Sequence, residues 1–383
     1  MARYYSCDSH VLEPRTIFEG LEDRFGSRAP YFEHTPKGEY LRLPGAPPVN
    51  IGRLGISGAR LDDPATQERM LSGYAGVNPG CLDATARLAD QDRDGIAGEV
   101  MYPSANMWTY AVPERDLVHE LFRRHNDWAI DWTSDAPERL VAVGCLPLPD
   151  VDEACAELER ASAKGMRGFA IPVTVPDNKP YSHPDYDRFW AMASDLGVPL
   201  TMHCFTGHDW QMGLPSTWGL PTVAITGYTL AHAAVSSTVA TLITDGVAHR
   251  FPGVQWIIGE FETGWVAHFK QRLDHATYRA RDLAFPGLDR EPSEYFDRQF
   301  SVTFEDDIQG IVTRDWIGVD NMMWGNDYPH HDSIFPNSVR VLGEIMHGVP
   351  EEEIIKMTWS NVIDLYGIDV TKLQADDEVL TLS

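Results

Sequence analysis

Cysteine is sparse. Five residues in 383 (Cys7, Cys81, Cys145, Cys155, Cys204) are odd in number and form no CxxC pair, which excludes a disulfide framework and a zinc ribbon as organising principles. Basic residues are scarce too. Lys and Arg total 31 against 57 for Asp and Glu, a formal net charge of −26, so nucleic acid and anionic membrane surfaces are disfavoured as partners. Long apolar runs are missing, and the N-terminal MARYYSCDSH has no apolar signal-like core. No membrane span or signal peptide is legible, and the expected location is the cytoplasm. GxGxxG, GxxxxGK[ST] and GxSxG are also absent, leaving nucleotide cofactors and serine nucleophiles without support. Neither an internal repeat nor a low-complexity tract is present.

What is there is an ordinary globular balance, 43% hydrophobic and 23% charged, and a rhythm. Short apolar runs recur, each followed by turn residues and then by a segment with helical spacing, which predicts repeated βα units and a parallel sheet. The runs fall at Tyr4 to Asp8, Gly98 to Tyr102, Leu140 to Leu146, Gly168 to Ile171, Pro199 to His203, Val254 to Gly259, Gln299 to Thr303 and Met322 to Trp324. Helices are expected over Glu114 to Ser134, Asp152 to Ala163, Tyr186 to Leu196 and Ser236 to Arg250. Eight strands alternating with helices predict an α/β fold, a distorted (β/α)8 TIM barrel that spans residues 1–383 as a single unit. Two regions break the rhythm. Residues 34–80, rich in Gly and Pro, are expected as a lid-like N-terminal insertion over the barrel mouth, and Phe205 to Thr229 as a long loop on the catalytic face. Residues 350–383 are expected to form a C-terminal helix and tail.

The chemistry-bearing residues lie at the ends of these runs. Asp8 and His10 are two apart at the end of the first strand and so face the same side; the plain alternative is a turn carboxylate and a surface histidine. His203 closes the fifth run, where barrel enzymes place working residues, and a satisfied core histidine is its alternative. Asp327 follows Met322-Met-Trp-Gly-Asn at the eighth. A carboxylate there is costly unless paired or bound to metal, and an N-cap role is weakened by Pro329.

Asp8-Ser-His-Val-Leu-Glu-Pro, His203 and Trp324-Gly-Asn-Asp-Tyr-Pro-His together resemble the amidohydrolase-2 family, the barrel hydrolases and decarboxylases related to aminocarboxymuconate-semialdehyde decarboxylase. Arg250-Phe-Pro-Gly-Val, Gly264-Trp and Asn361-Val-Ile-Asp-Leu-Tyr fit the same family, so the resemblance covers nearly the whole chain. It implies a divalent metal (Zn, Mn or Fe) held by Asp8, His10, His203 and Asp327, with Asp327 as general acid or base in hydrolysis by metal-activated water or in carboxy-lyase chemistry.

The sequence departs from the family at the sixth strand, where Glu260 stands in place of a histidine and Thr263 in place of the glutamate three residues on. That weighs against aromatic decarboxylation. Glu260 adds a carboxylate that is either a further ligand and catalytic group or a hydrogen-bond partner of His203 or a loop backbone. With Glu262 on the same face it opens the way to two ions, since oxygen ligands favour manganese or iron over zinc. A dinuclear Fe or Mn/Fe monooxygenase component, resembling a few members of the fold, is therefore the alternative. A third, non-enzymatic reading is a barrel subunit whose metal is structural and which supports a catalytic homologue in a hetero-oligomer; the resemblance also implies a homo- or hetero-oligomer with a related barrel subunit whichever reading holds. The expected partner is otherwise a small-molecule substrate. His330, Trp108 and His232 are the candidate substrate contacts; for His232, as for His208, an ordinary packed or exposed histidine is the alternative. Trp210 and Trp218 could wall an apolar pocket, and Arg53 and Arg60 could clamp a carboxylate.

Overall fold

The computed structural model of the protein describes residues 4–60, 62–207 and 220–373. The first apolar run becomes β1 (Tyr5–Val11), buried along its whole length. The chain then leaves the barrel, and residues 34–80, expected to be loop-like, carry structure of their own. A small antiparallel sheet of β2 (Tyr31–Thr35), β3 (Gly38–Arg42) and β4 (Val49–Asn50) starts before the expected boundary. Its strands are short and half polar, which is why no period-2 signal shows in the sequence. The excursion packs onto the exits of the first and last barrel strands. Leu12 N donates to Cys81 O at 3.2 Å, and Gly58 (φ +66°) approaches so closely that a side-chain carbon would lie 2.4 Å from Phe335 O. Only glycine satisfies both that turn and that contact.

A helix, Ala84–Asp94, returns the chain to the barrel. The remaining strands follow: β5 (Gly98–Pro103), β6 (Leu140–Ala142), β7 (Gly144–Cys145), β8 (Phe169–Ile171), β9 (Leu200–His203), β10 (Trp256–Gly259), β11 (Phe300–Phe304) and β12 (Met322–Trp324). Every expected run is met, with Leu140 to Leu146 divided at Val143 into β6 and β7. All barrel pairings are parallel: β1 with β5, β5 with β6, and β7 through β12 in order. Between β12 and β1 the ring is closed by single contacts, as Asn326 N and Asp327 N both donate to Asp8 O (3.1 and 2.9 Å).

Helices Arg115–Thr133, Val151–Ala163 and Asp187–Leu196 match expectation to within a residue or two. The segment expected as one helix from Ser236 to Arg250 is instead His232–Thr244 and Val247–Arg250, separated at Gly246 in the left-handed region (φ +81°). Of the loop after β9, residues 220–230 are helical, while His208, Trp210 and Trp218 lie outside the described residues. The C-terminal region holds Glu351–Ile355 and Asn361–Tyr366 with a π-turn between them. No described helix is long and apolar enough to cross a membrane.

Candidate metal centre

Asp8 and His10 reach one cluster although the register of β1 against β5 slips between Ser6 and Ser9. Asp8 Oδ1 lies 3.8 Å from His10 Nε2 and 3.2 Å from His203 Nε2. Asp327 Oδ1 lies 3.3 Å from His10 Nε2, and Glu260 Oε2 is 3.5 Å from the Nε2 of both histidines. Each ring is turned by its other nitrogen. His10 Nδ1 faces Pro103 O at 3.1 Å and His203 Nδ1 faces Cys204 O at 3.1 Å; with Nδ1–H donating to the carbonyl, Nε2 presents its lone pair to the cluster. His330 Nδ1 meets Asp327 Oδ1 at 2.9 Å, and its Nε2 lies 3.2 Å from Ser104 Oγ.

The backbone is bent to achieve this. Non-glycine residues with positive φ among the described residues are Phe205, Glu260, Glu262 and Asp327 (φ 51° to 59°), all just beyond strands β9, β10 and β12. Such conformations cost about 1–3 kcal/mol each and persist where surrounding structure enforces them. Gly325 is part of that enforcement, since a side-chain carbon there would sit 2.4 Å from Asp8 Cβ.

Electrostatics inside the cluster are dominated by burial. Desolvation, reinforced by His330 and His203, pushes the His10 imidazole well below its ordinary range. His203 stands at about 9, because burial, which lowers it, is outweighed by the Asp8 and Glu260 carboxylates. Glu260 is raised to about 8 by burial and by Asp327, and Asp327 is raised well above the carboxylate range by burial and by Asp8. His10 Nε2 and Glu260 Oε2 are buried without hydrogen-bond partners. Orphaned, converging nitrogen and oxygen donors are what a divalent ion satisfies. Asp8, His10 and His203 form one group whose ligand atoms lie within 4.8 Å of one another, and His10, Glu260, Asp327 and His330 form another.

Beside the donors opens a cavity of about 300 Å³, lined among others by Asp8, Tyr228, His232, Glu260, Glu262, Trp265, Glu305 and Asp327. His232 stacks on Trp265 (centroids 5.9 Å, 27°) in its wall. Trp108 is placed differently: it stacks on Phe205 (5.8 Å, 22°) and packs against the cluster beneath the N-terminal excursion, away from the cavity lining. Thr263 does not reach the centre, because its N–H and hydroxyl both donate to Asp307 Oδ2 (2.7 and 3.0 Å) at the start of helix Ile308–Ile317.

Two residues that sequence reasoning missed support the donors directly. Thr303 Oγ donates to Asp8 Oδ2 (2.7 Å) and accepts from Glu260 N (2.9 Å). In sequence it is only the last residue of an apolar run, and a threonine among Phe, Val and Phe is the one available signal. Thr303→Val keeps the shape and removes both bonds, so metal affinity should fall about 10- to 100-fold. Titration against a competing chelator checks this, and unchanged affinity would show that Asp8 needs no such restraint. Arg87 is the second. Wholly buried, its Nη1 donates to His10 O (2.7 Å), its Nη2 to Ser9 Oγ (3.1 Å) and its Nε to Glu99 Oε2 (2.5 Å).

A parallel eight-unit barrel with Asp-x-His on its first strand, a histidine on the fifth and an aspartate after the eighth defines a metal-dependent barrel enzyme class. The amidohydrolase family model matches residues 78–368, and the chain belongs to that family. It is similar to a gamma-resorcylate decarboxylase of Rhodococcus jostii (strain RHA1), 27% identical over 293 residues covering 68% of this chain and 84% of the relative. Among solved structures it is similar to an amidohydrolase from Mycobacterium avium subsp. paratuberculosis K-10 (TM-score 0.72, 20% identity, 96% of this chain and 99% of that one). It is also similar to a dihydroxybenzoic acid decarboxylase from Polaromonas sp. JS666 with bound manganese (TM-score 0.65, 18% identity, 97% and 99%). The chain is an enzyme of this family whose clustered donors fit a divalent metal.

Proposed function

We propose that the chain is a metal-dependent carboxy-lyase that removes CO2 from a small organic acid. The observation that carries this reading is the convergence of Asp8, His203, Glu260 and Asp327 on the buried, unpartnered His10 Nε2. The gamma-resorcylate decarboxylase named above supports it. Asp8, His10, His203, Glu260 and Asp327 would hold the metal, which when bound supplies a positive centre that polarises a substrate oxygen and stabilises negative charge developing beside it. Asp327, oriented by His330 and Ser104, holds the proton. As the carbon–carboxylate bond breaks, its electron pair stays on carbon, and the Asp327 proton completes the new C–H bond while CO2 leaves. Trp265, Phe261 and Phe304 line the cavity beside the donors and would limit the water that reaches this carbon.

Hydrolysis is the second reading. Glu260 favours it, because an unpartnered buried carboxylate beside Asp327 offers a second proton acceptor. The dinuclear oxygenase draws on the same donors, and the relatives' names lend it no support. The deciding experiment is metal content of protein purified without chelator, then CO2 release and O2 uptake by the manganese-loaded protein over a panel of small organic acids. About one metal equivalent and CO2 formed without O2 uptake are expected. Cleavage by water without CO2 would replace the lyase by a hydrolase, and product formation coupled to O2 uptake would overturn both.

A further inference from the structure

Glu13 lies two residues beyond β1 and is wholly buried, yet no Lys or Arg among the described residues pairs with it. A carboxyl so placed is costly unless its oxygens are used. Here Oε2 accepts from Ala105 N (2.9 Å) and Oε1 from Asn106 N (3.0 Å), the first two amides of the 3-10 helix Ala105–Ala111. His125 completes the seat, its otherwise unpartnered Nδ1 facing Glu13 Oε1 at 3.5 Å.

Amides that open a helix are ordinarily met by the side chain of the residue just before them. At this helix that residue is Ser104, whose side chain makes no such bond. Because Glu13 takes the amides, Ser104 Oγ is left to face His330 Nε2 at 3.2 Å. One residue earlier, Pro103 O faces His10 Nδ1 at 3.1 Å. The exit of β5 thus orients two histidines of the donor cluster, and Glu13, from the exit of β1, holds that exit in place.

We infer that Glu13 is a positioning residue for the metal centre, which sets Pro103 O against His10 and frees Ser104 for His330. The inference rests on the metal-dependent reading above and extends it to a residue that lines no part of the cavity. A carboxamide cannot replace the carboxyl, because one of its two ends is a donor and would face an amide N–H that it cannot accept.

The test is manganese affinity of the full chain, by titration against a competing chelator, in the native protein, Glu13→Gln, Ser104→Ala and the double variant. Glu13→Gln should weaken binding about tenfold or more, as expected for a group that supports metal ligands from behind. Ser104→Ala should weaken it less. Since the Glu13 change already displaces Ser104, the double variant should bind about as weakly as Glu13→Gln alone. Native affinity in Glu13→Gln overturns the inference, and so does an additive loss in the double variant, which would show the two residues acting separately. The same coupling can be read from the metal's side without any substitution, because it is reciprocal. Removing manganese from the native chain should speed amide hydrogen exchange at Ala105 and Asn106 about tenfold, but not within helix Val151–Ala163, which carries no donor. Unchanged exchange at those two amides overturns the inference even if Glu13→Gln does not fold. A native chain that takes up no manganese is a separate result, and it sinks the underlying reading together with this one.

Discussion

Asp327→Asn is expected to lower kcat by about 10²- to 10⁴-fold, the range attributed to a positioned proton donor or acceptor, while the protein stays folded and still takes up metal. The substitution keeps the side-chain shape and an oxygen that can face His10 Nε2, now 3.3 Å from Oδ1, but it removes the exchangeable proton. The left-handed backbone at this position (φ 51°) is one that asparagine tolerates better than most residues, so misfolding is a poor explanation for an inactive variant. Steady-state kinetics and metal content on the same preparation decide the matter. A kcat within tenfold of the native value would remove Asp327 from the proton transfer and turn attention to Glu260. Loss of metal together with activity would make it chiefly a ligand.

Arg87→Met should cost about 3–5 kcal/mol, the penalty of leaving one partner of a buried ion pair alone, and lower Tm by roughly 5 °C in a chain of this size. Glu99 would be stranded. Its Oε2 accepts from Arg87 and Gln91 and its Oε1 from Asn326 Nδ2 at 3.2 Å, and Asn326 is the residue before Asp327. The guanidinium lies over the Tyr328 ring at 4.3 Å and binds the His10 carbonyl. It therefore braces the two strand exits that carry His10 and Asp327. Adding Glu99→Leu should restore much of the lost stability by removing the stranded charge, though not the brace on His10. Thermal unfolding of the two single variants and the double variant gives the coupling energy. If the single variant unfolds within a degree or two of the native protein, the pair is not the keystone that its burial indicates.

The barrel was legible because its strands are buried on both faces and read as short apolar runs. Seven of the eight end within one residue of the expected position, and β1 runs three residues further because the chain stays extended past Asp8. Asp8, His10, His203 and Asp327 were legible because each follows such a run. Less visible was anything whose partner is remote in sequence. Arg87 reads as one more charged position on a helix until Glu99, His10 and Tyr328 surround it, and Ser104 means nothing until His330 arrives from the far end of the chain. The division of the helix after His232 turned on Gly246, which looks in sequence like a tolerated interior glycine. The N-terminal excursion hid its small sheet because the strands are short and half polar. Glu260 was noticed as a departure from the family pattern, but its lack of a partner is a property of three dimensions.

The closure of the ring has one more consequence. Ser6 and Asn326, bonded across the seam at 3.1 Å, stand 320 positions apart, and the donors on either side of that seam, Asp8 and Asp327, stand nearly as far apart in the chain. During synthesis Asp8 and His10 are made 319 and 317 residues before Asp327, so they precede that partner by most of the barrel. A donor set that includes Asp327 is therefore complete only once the eighth strand has been made. A product truncated before that strand lacks Asp327 and, with it, the proton donor proposed above.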